Sequence, residues 1–220
     1  MKTNSKTQPP IWMKDALKHL QASDPKFARL IKLIGPCLLP CHRQHYATLV
    51  KSIISQQIST KAAESIYGRF CAAIAPARML PAPVAALSEE EMKAAGLSPQ
   101  KRGYLRDLTN KVISREVRLN QLHKLTDEEI IAELTLVKGI GIWTAQMFLI
   151  FSLNRPNVFP SEDLGVRNAL RNVYRLSTSP DKKEALKIAE PWAPFGSVAA
   201  WYLWRSLDLP PETWLADPQE

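Results

Sequence analysis

Residues 134–151 read LTLVKGIGIWTAQMFLIF: the end of one helix, the corner Lys138-Gly139-Ile140-Gly141, and a second helix from about Ile142. The two glycines permit a tight turn with φ > 0 and keep side chains off the backbone, so amide N–H groups and a helix N-terminus point outward together. Such a corner can hold phosphate with donors that see only phosphate oxygens and read no base. Glycines also serve helix–helix turns for steric reasons alone. About twenty residues on, the run Val158-Phe159-Pro160-Ser161-Glu162-Asp163-Leu164-Gly165-Val166-Arg167 offers Ser161 as an N-cap. That would put Glu162 and Asp163 in a first helical turn, where the dipole favours a carboxylate; the dipole also explains them without any site. A third grouping, Cys37, Cys41, His42 and His45, could be drawn as a zinc site. Its order C-x3-C-H-x2-H is compressed and matches no common ligand spacing, which favours ordinary thiols beside solvated histidines. With 3 cysteines a disulfide framework and a four-cysteine iron–sulfur cluster are both excluded.

The elements that must position these residues read as helices throughout. The chain of 220 residues holds 8 Gly and 17 Pro, and the prolines fall mostly between periodic apolar segments, as helix punctuation does. Residues 43–57 put Tyr46, Leu49, Val50, Ile53 and Ile54 on one face, and 59–75 put Ala62, Ile66, Phe70 and Ile74 at four-residue steps. Ser88 with Glu91 and Thr126 with Glu129 form capping boxes, and Ser98 before Pro99 is a third start signal. Further helices are expected near 12–22, 25–34, 99–114, 127–135, 142–153, 162–174, 181–190 and 196–207. The fold class is all-α. The first ten residues and the terminal ADPQE look like frayed ends.

Composition bounds the partner. At 45% hydrophobic and 23% charged residues the chain is long enough for one large or two small domains. Lys and Arg outnumber Asp and Glu 29 to 21, a net +8, so a polyanion is the expected partner, nucleic acid first and an anionic membrane surface second. No apolar run approaches the ~20 residues that span a bilayer, and the start MKTNSKTQPP lacks a signal-peptide core, so a soluble intracellular protein is expected. Residues 93–118 carry Lys93, Lys101, Arg102, Arg106, Lys111, Arg115 and Arg118 against Asp107 and Glu116, a local +5. That is either a solvated helix face or a DNA-facing one.

Three ordered motifs, Leu49-Val50-Lys51-Ser52-Ile53-Ile54-Ser55-Gln56-Gln57-Ile58-Ser59, then Lys138-Gly139-Ile140-Gly141-Ile142-Trp143-Thr144-Ala145, then Asp163-Leu164-Gly165-Val166-Arg167, resemble the helix-hairpin-helix DNA glycosylase superfamily. Within it the chain is most similar to the DNA-3-methyladenine glycosylase II family, over roughly residues 35–207. The resemblance implies two helical lobes with the active cleft between them: a central lobe, 36–137, and a second lobe of 11–35 plus 138–220. It implies Asp163 as the catalytic carboxylate, stabilising an oxocarbenium-like sugar and guiding water, with Glu162 solvated. Bifunctional relatives carry a Schiff-base lysine where this chain has Trp143, so hydrolysis without strand cleavage is implied. Trp143 instead suits stacking on a cationic alkylated purine, or core packing.

The same resemblance places the wedge that fills the gap left by a flipped base at Gln57, with Gln56 as the alternative. It puts Trp143, Met147 and Trp201, with Trp204, near the base pocket, and Lys138, Gly139, Gly141, Thr144, Lys101 and Arg102 against the DNA backbone. Helical spacing favours core packing over a pocket role for the C-terminal tryptophans. The sequence departs from the family at Ala193 and Gly196, where arginines are frequent, and at Met147, where some relatives carry a pocket aromatic. No metal or other cofactor is implied, although a monovalent cation can sit on hairpin carbonyls. The partner is duplex DNA with alkylated bases, bound by a monomer, in the bacterial cytoplasm (nucleoid) or a eukaryotic nucleus. Two alternatives stand: a non-catalytic helix-hairpin-helix DNA-binding protein, and a glycosylase for deaminated bases.

Overall fold

A computed structural model describes residues 10–210 and Thr213, so the expected frayed ends lie almost wholly outside the described residues. Every regular element among the described residues is helical. The chain begins with α1 (Met13–Ser23) and α2 (Pro25–Ile34). There follow α3 (His45–Ser55), α4 (Thr60–Ala73), α5 (Pro81–Ala86), α6 (Glu89–Ala94), α7 (Pro99–Ile113), α8 (Asp127–Thr135) and α9 (Ile142–Phe151). The last three are α10 (Leu164–Tyr174), α11 (Lys182–Ala189) and α12 (Gly196–Ser206), with single 3₁₀ turns at Leu122–Lys124 and Glu190–Trp192.

These helices form two compact units, one of His42–Leu153 and one of the residues up to Cys41 together with those from Asn154 onward. The expected division at 137/138 is therefore corrected to 153/154, and residues 36–41 belong with the terminal unit. The reason is packing: α9 lies on α8 and α3. Its end is tied to the start of the same unit, since the His42 N–H donates to Phe151 O at 2.8 Å and Ser152 Oγ donates to His42 O at 2.7 Å.

Local signals account for where the helices start. Ser88 with Glu91 and Thr126 with Glu129 close their capping boxes, and Ser98 Oγ accepts from Lys101 N–H ahead of Pro99, each satisfying donors that a helix start leaves orphaned. Asp181 with Glu184 closes a third box. In the central unit Tyr46, Leu49, Val50, Ile53 and Ile54 are all buried, as the periodicity of α3 requires, and Tyr46 Oη meets Thr109 Oγ1 at 2.8 Å. Burial pushes the Tyr46 phenol up to about 12. In the terminal unit the fully buried Trp192 is the hub, with Phe27, Phe159 and Tyr174 rings 4.8, 5.4 and 6.3 Å away. Tyr202 Oη donates to Gly35 O at 2.8 Å and pins α12 to the end of α2.

His45 opens α3 with Nδ1 2.9 Å from Ser152 Oγ and its ring edge-on to Phe148 at 5.6 Å. Burial lowers its pKa below the ordinary 6.5, so the neutral ring is favoured in the folded state. The stability it contributes is complete above about pH 6.5 and is lost as pH falls through the lower folded value. Glu89, Glu91 and Asp107 are all held below ordinary carboxylate values and release their contributions at lower pH. We expect the thermal midpoint to drop between about pH 7.5 and about pH 5.5 and His45→Gln to flatten that drop, read by calorimetry at both pH values.

Candidate functional site

The acid of the terminal unit sits at a helix start, which falls two positions later than the sequence pattern puts it. Asp163, not Ser161, is the N-cap of α10: its backbone is extended, and its Oδ1 accepts the Val166 N–H at 2.8 Å. Ser161 is buried two residues earlier, and Asp163 N–H bonds Pro160 O at 2.9 Å. The helix opens at Leu164, so the orphan N3 amide is that of Val166 and Asp163 takes it; a cap at Ser161 would have served the amide of Leu164. The same Oδ1 accepts the indole N–H of Trp204 at 2.9 Å. A Cβ on Gly165 would lie 3.0 Å from Asp163 Oδ1 and 3.1 Å from the Trp204 ring, so glycine at 165 lets the indole reach the carboxylate. Glu162 points away and pairs with Lys182 at 3.0 Å on an exposed surface.

The α12 helix holds this arrangement from both ends. At its far end Trp204 binds the acid; at its start the buried Ser197 accepts Val158 N–H at 2.9 Å and donates to Arg155 O at 2.6 Å. That fixes the segment leading into Asp163. A Cβ on Gly196 would stand 3.2 Å from Phe159 Cβ, a physical reason for a small residue where the family often has arginine. Trp201 is 9% exposed, with its ring edge-on to Tyr202 at 5.0 Å; it packs in the core, as its helical spacing favoured over a pocket role.

In the central unit the hairpin is built as a braced corner. Of its two glycines only Gly139 uses the left-handed region, at φ +84, and a Cβ there would fall 2.2 Å from the Tyr104 ring. Gly141 is extended (φ −94, ψ 176) and caps α9 with no side chain, and a Cβ there would meet open space. The shared φ > 0 expectation is thus corrected: Gly139 is required by its own backbone and Tyr104, and Gly141 keeps a helix start bare. Asp107 Oδ2 accepts Lys138 N–H at 2.8 Å and Gln56 Nε2 donates to Gly139 O at 2.8 Å. Ile140 N–H closes the turn on Val137 O at 3.0 Å. Among the described residues the amides of Gly139 and Gly141 donate to no protein acceptor. Burial works against the Asp107 charge, but hydrogen bonds from Lys111 and Lys138 and their charges outweigh it and hold the carboxyl low.

Other expected site residues divide plainly. Lys138 is exposed at the corner. Ile142 and Trp143, in the first turn of α9, are 54% and 51% exposed, so core packing does not describe Trp143. Met147, one turn on, is half-buried. The Thr144 side chain is buried, leaving its backbone N–H as the group a helix start can offer. Gln57 follows the end of α3 at φ +58 with its side chain exposed. Gln56, the alternative wedge, is corrected to a hairpin brace. Lys101 and Arg102 are corrected too. Lys101 Nζ donates to Ile54 O at 2.7 Å, and burial lowers its pKa. Arg102 bonds Glu89 at 2.7 Å and Leu97 O at 2.9 Å. Lys101 ties α7 to the end of α3, and Arg102 ties it to the start of α6 and to Leu97 just beyond that helix. Sequence reasoning did not find Asp107, Tyr104, or the indole–carboxylate bond; Asp107 was visible only as an acid in a basic stretch.

Cys37 is buried and its thiol is pushed up to about 12, against a hydrogen bond from the Leu39 backbone. Among the described residues no group of three or more His, Cys, Asp or Glu could hold a metal ion.

A bare helix start behind a glycine corner, in an all-helical unit, is the grip of a helix-hairpin-helix protein. Residues 50–194 match the family described as HhH-GPD superfamily base excision DNA repair protein. DNA-3-methyladenine glycosylase 1 of Schizosaccharomyces pombe is 39% identical over 197 residues, covering 87% of this chain and 86% of its own length. The S. pombe 3-methyladenine DNA glycosylase solved in complex with abasic DNA superposes with a TM-score of 0.78 at 36% identity, covering 90% of this chain and 98% of that one. A DNA-3-methyladenine glycosidase from Bacillus halodurans gives 0.81 at 33% identity, covering 91% and 90%. The chain belongs to the HhH-GPD superfamily of base excision DNA repair proteins.

Proposed function

We propose that the protein is a monofunctional DNA glycosylase that hydrolyses the N-glycosidic bond of alkylated purines, such as 3-methyladenine and 7-methylguanine, in duplex DNA. The observation that carries this reading is the Asp163 carboxylate, fixed at a helix start by Val166 N–H and the Trp204 indole. As the C1′–N bond breaks, the electron pair leaves with the base, which departs neutral because it was cationic. The sugar becomes oxocarbenium-like, and a preorganised carboxylate stabilises that charge, orients the water whose oxygen bonds C1′, and takes the proton that water gives up before passing it to solvent. The reading calls for no cofactor, and a monovalent cation on hairpin carbonyls would serve backbone binding alone.

The hairpin amides and the start of α9 hold phosphate, Gln57 fills the stack, and the base is extruded from the duplex. The half-exposed Trp143 offers a ring face to a cationic purine. A neutral deaminated base lacks that attraction. The protein acts as a monomer.

The test uses duplexes carrying one 7-methylguanine, hypoxanthine or uracil. Release confined to 7-methylguanine, with strand breaks only after alkali and no borohydride-trapped adduct, supports the proposal; a trapped adduct or preference for a deaminated base contradicts it. Trp204→Phe keeps the ring and removes the N–H. Since hydrogen bonds to charged groups contribute about 1.5–3 kcal/mol, single-turnover release should slow roughly tenfold or more while the α10 cap persists.

A further inference from the structure

We propose that Gln56 is a positioning residue that clasps the turn bearing Gln57 to the hairpin, so that wedge and backbone grip meet the duplex in one fixed register. The inference rests on the glycosylase reading above for the roles of the two parts, and on the central unit alone for the coupling.

The hairpin does not need Gln56 for its own shape. Its backbone is already held by Asp107 on Lys138 N–H, by Tyr104 under Gly139 and by the Ile140 to Val137 bond. What Gln56 adds is a link of 83 positions in sequence: Nε2 donates to Gly139 O at 2.8 Å, on the peptide whose N–H end is the one bonded to Val137 O. That peptide plane is therefore fixed at both ends, and the fixing group is the residue immediately before Gln57. Gln56 is also the C-cap of α3, extended at φ −58 and ψ 133, and Gln57 then turns into the left-handed region at φ +58. A non-glycine residue held there persists only where its surroundings over-determine it, and such positions gather at functional sites. Lys101 adds a second fastening, Nζ to Ile54 O at 2.7 Å, at the last turn of the same helix. The end of α3 is thus anchored twice just before the turn, at Ile54 by Lys101 and at Gln56 by the hairpin, and the exposed Gln57 follows directly on the second anchor.

A residue that only stabilised the fold would lower the melting temperature and leave the reaction of the surviving protein unchanged. A clasp gives a different pattern, read by a double-mutant cycle of Gln56→Ala and Gln57→Ala. The readouts are single-turnover base release at saturating DNA, the affinity for undamaged duplex, the melting temperature, and the fluorescence of 2-aminopurine beside an abasic site. We expect Gln56→Ala to melt with the parent and to bind undamaged duplex within about threefold, because Asp107 and Tyr104 still hold the grip. It should release base about tenfold more slowly, misregistered reacting groups being costly, and should lose most of the 2-aminopurine signal. The double variant should be no more than about twofold worse than Gln57→Ala alone. Additive losses, an unchanged rate, or a lowered melting temperature with normal release would overturn the clasp. The fluorescence arm needs binding and not bond cleavage. A parent that releases no base but gives the signal therefore counts against the glycosylase reading alone, and the cycle on that signal still decides for or against Gln56. A parent that gives neither overturns both.

Discussion

Asp163→Asn is expected to abolish base release while leaving the fold and DNA binding in place. The substitution is close to isosteric, and Asn serves as an N-cap about as well as Asp. Its amide oxygen can accept both Val166 N–H and the Trp204 indole N–H, which meet Asp163 at one atom, Oδ1. What disappears is the negative charge. A fixed group aimed at charge developing in the transition state is worth about 10²–10³ in rate when removed, so release should fall by at least about 10²-fold. The melting temperature should move by less than a few degrees. The measurement is single-turnover release alongside gel-shift affinity for an abasic duplex. A variant that keeps most of the parent's rate would remove Asp163 from the chemistry.

The second large effect separates two glycines that look alike in sequence. In Gly139→Ala the new Cβ would be 2.2 Å from the Tyr104 ring, at a backbone φ of +84 that L residues seldom adopt. Strain of that kind and overpacking each cost about 1–3 kcal/mol. A loss of at least about 2 kcal/mol, or roughly 4–8 °C in melting temperature for a chain of this size, follows, together with weakened binding to any duplex. Gly141→Ala meets no atom within 4 Å and keeps an ordinary φ of −94. Its stability should stay within about 1 kcal/mol of the parent, and any loss of DNA affinity must then come from a methyl group placed where phosphate approaches. Equal melting temperatures for the two variants would contradict the different roles assigned to them.

Those glycines also show how far residue pattern reaches. The helices themselves were legible because their signals are local: the face of α3, the boxes at Ser88 and Thr126, the Ser98-Pro99 start. The short α5 was not, since Pro81 and Pro83 read as punctuation while Pro81 in fact opens the helix at N1, where a missing N–H costs nothing. The acid was legible as a residue but not as a cap, because Ser161 and Asp163 are both good caps and only the turn at Pro160 chooses between them. Asp107, Tyr104 and Gln56 could not be read at all as hairpin braces: they lie 31 to 83 positions from the atoms they hold, and no short-range pattern encodes that. For the same reason Lys101 and Arg102 looked like phosphate ligands. A basic helix face is identical in sequence whether its charges meet DNA or, as here, the carbonyls of Ile54 and Leu97.

If the carboxylate held at the start of α10 drives release of alkylated purines from DNA, the charge of Asp163 decides the outcome. The deciding measurement incubates the parent protein and Asp163→Asn with DNA treated by a methylating agent and identifies the released bases by chromatography. We expect 3-methyladenine or 7-methylguanine from the parent, none above background from the variant, and equal binding of an abasic duplex by both. No release by a parent that binds the abasic duplex, or equal release by both proteins, would contradict that role of the carboxylate.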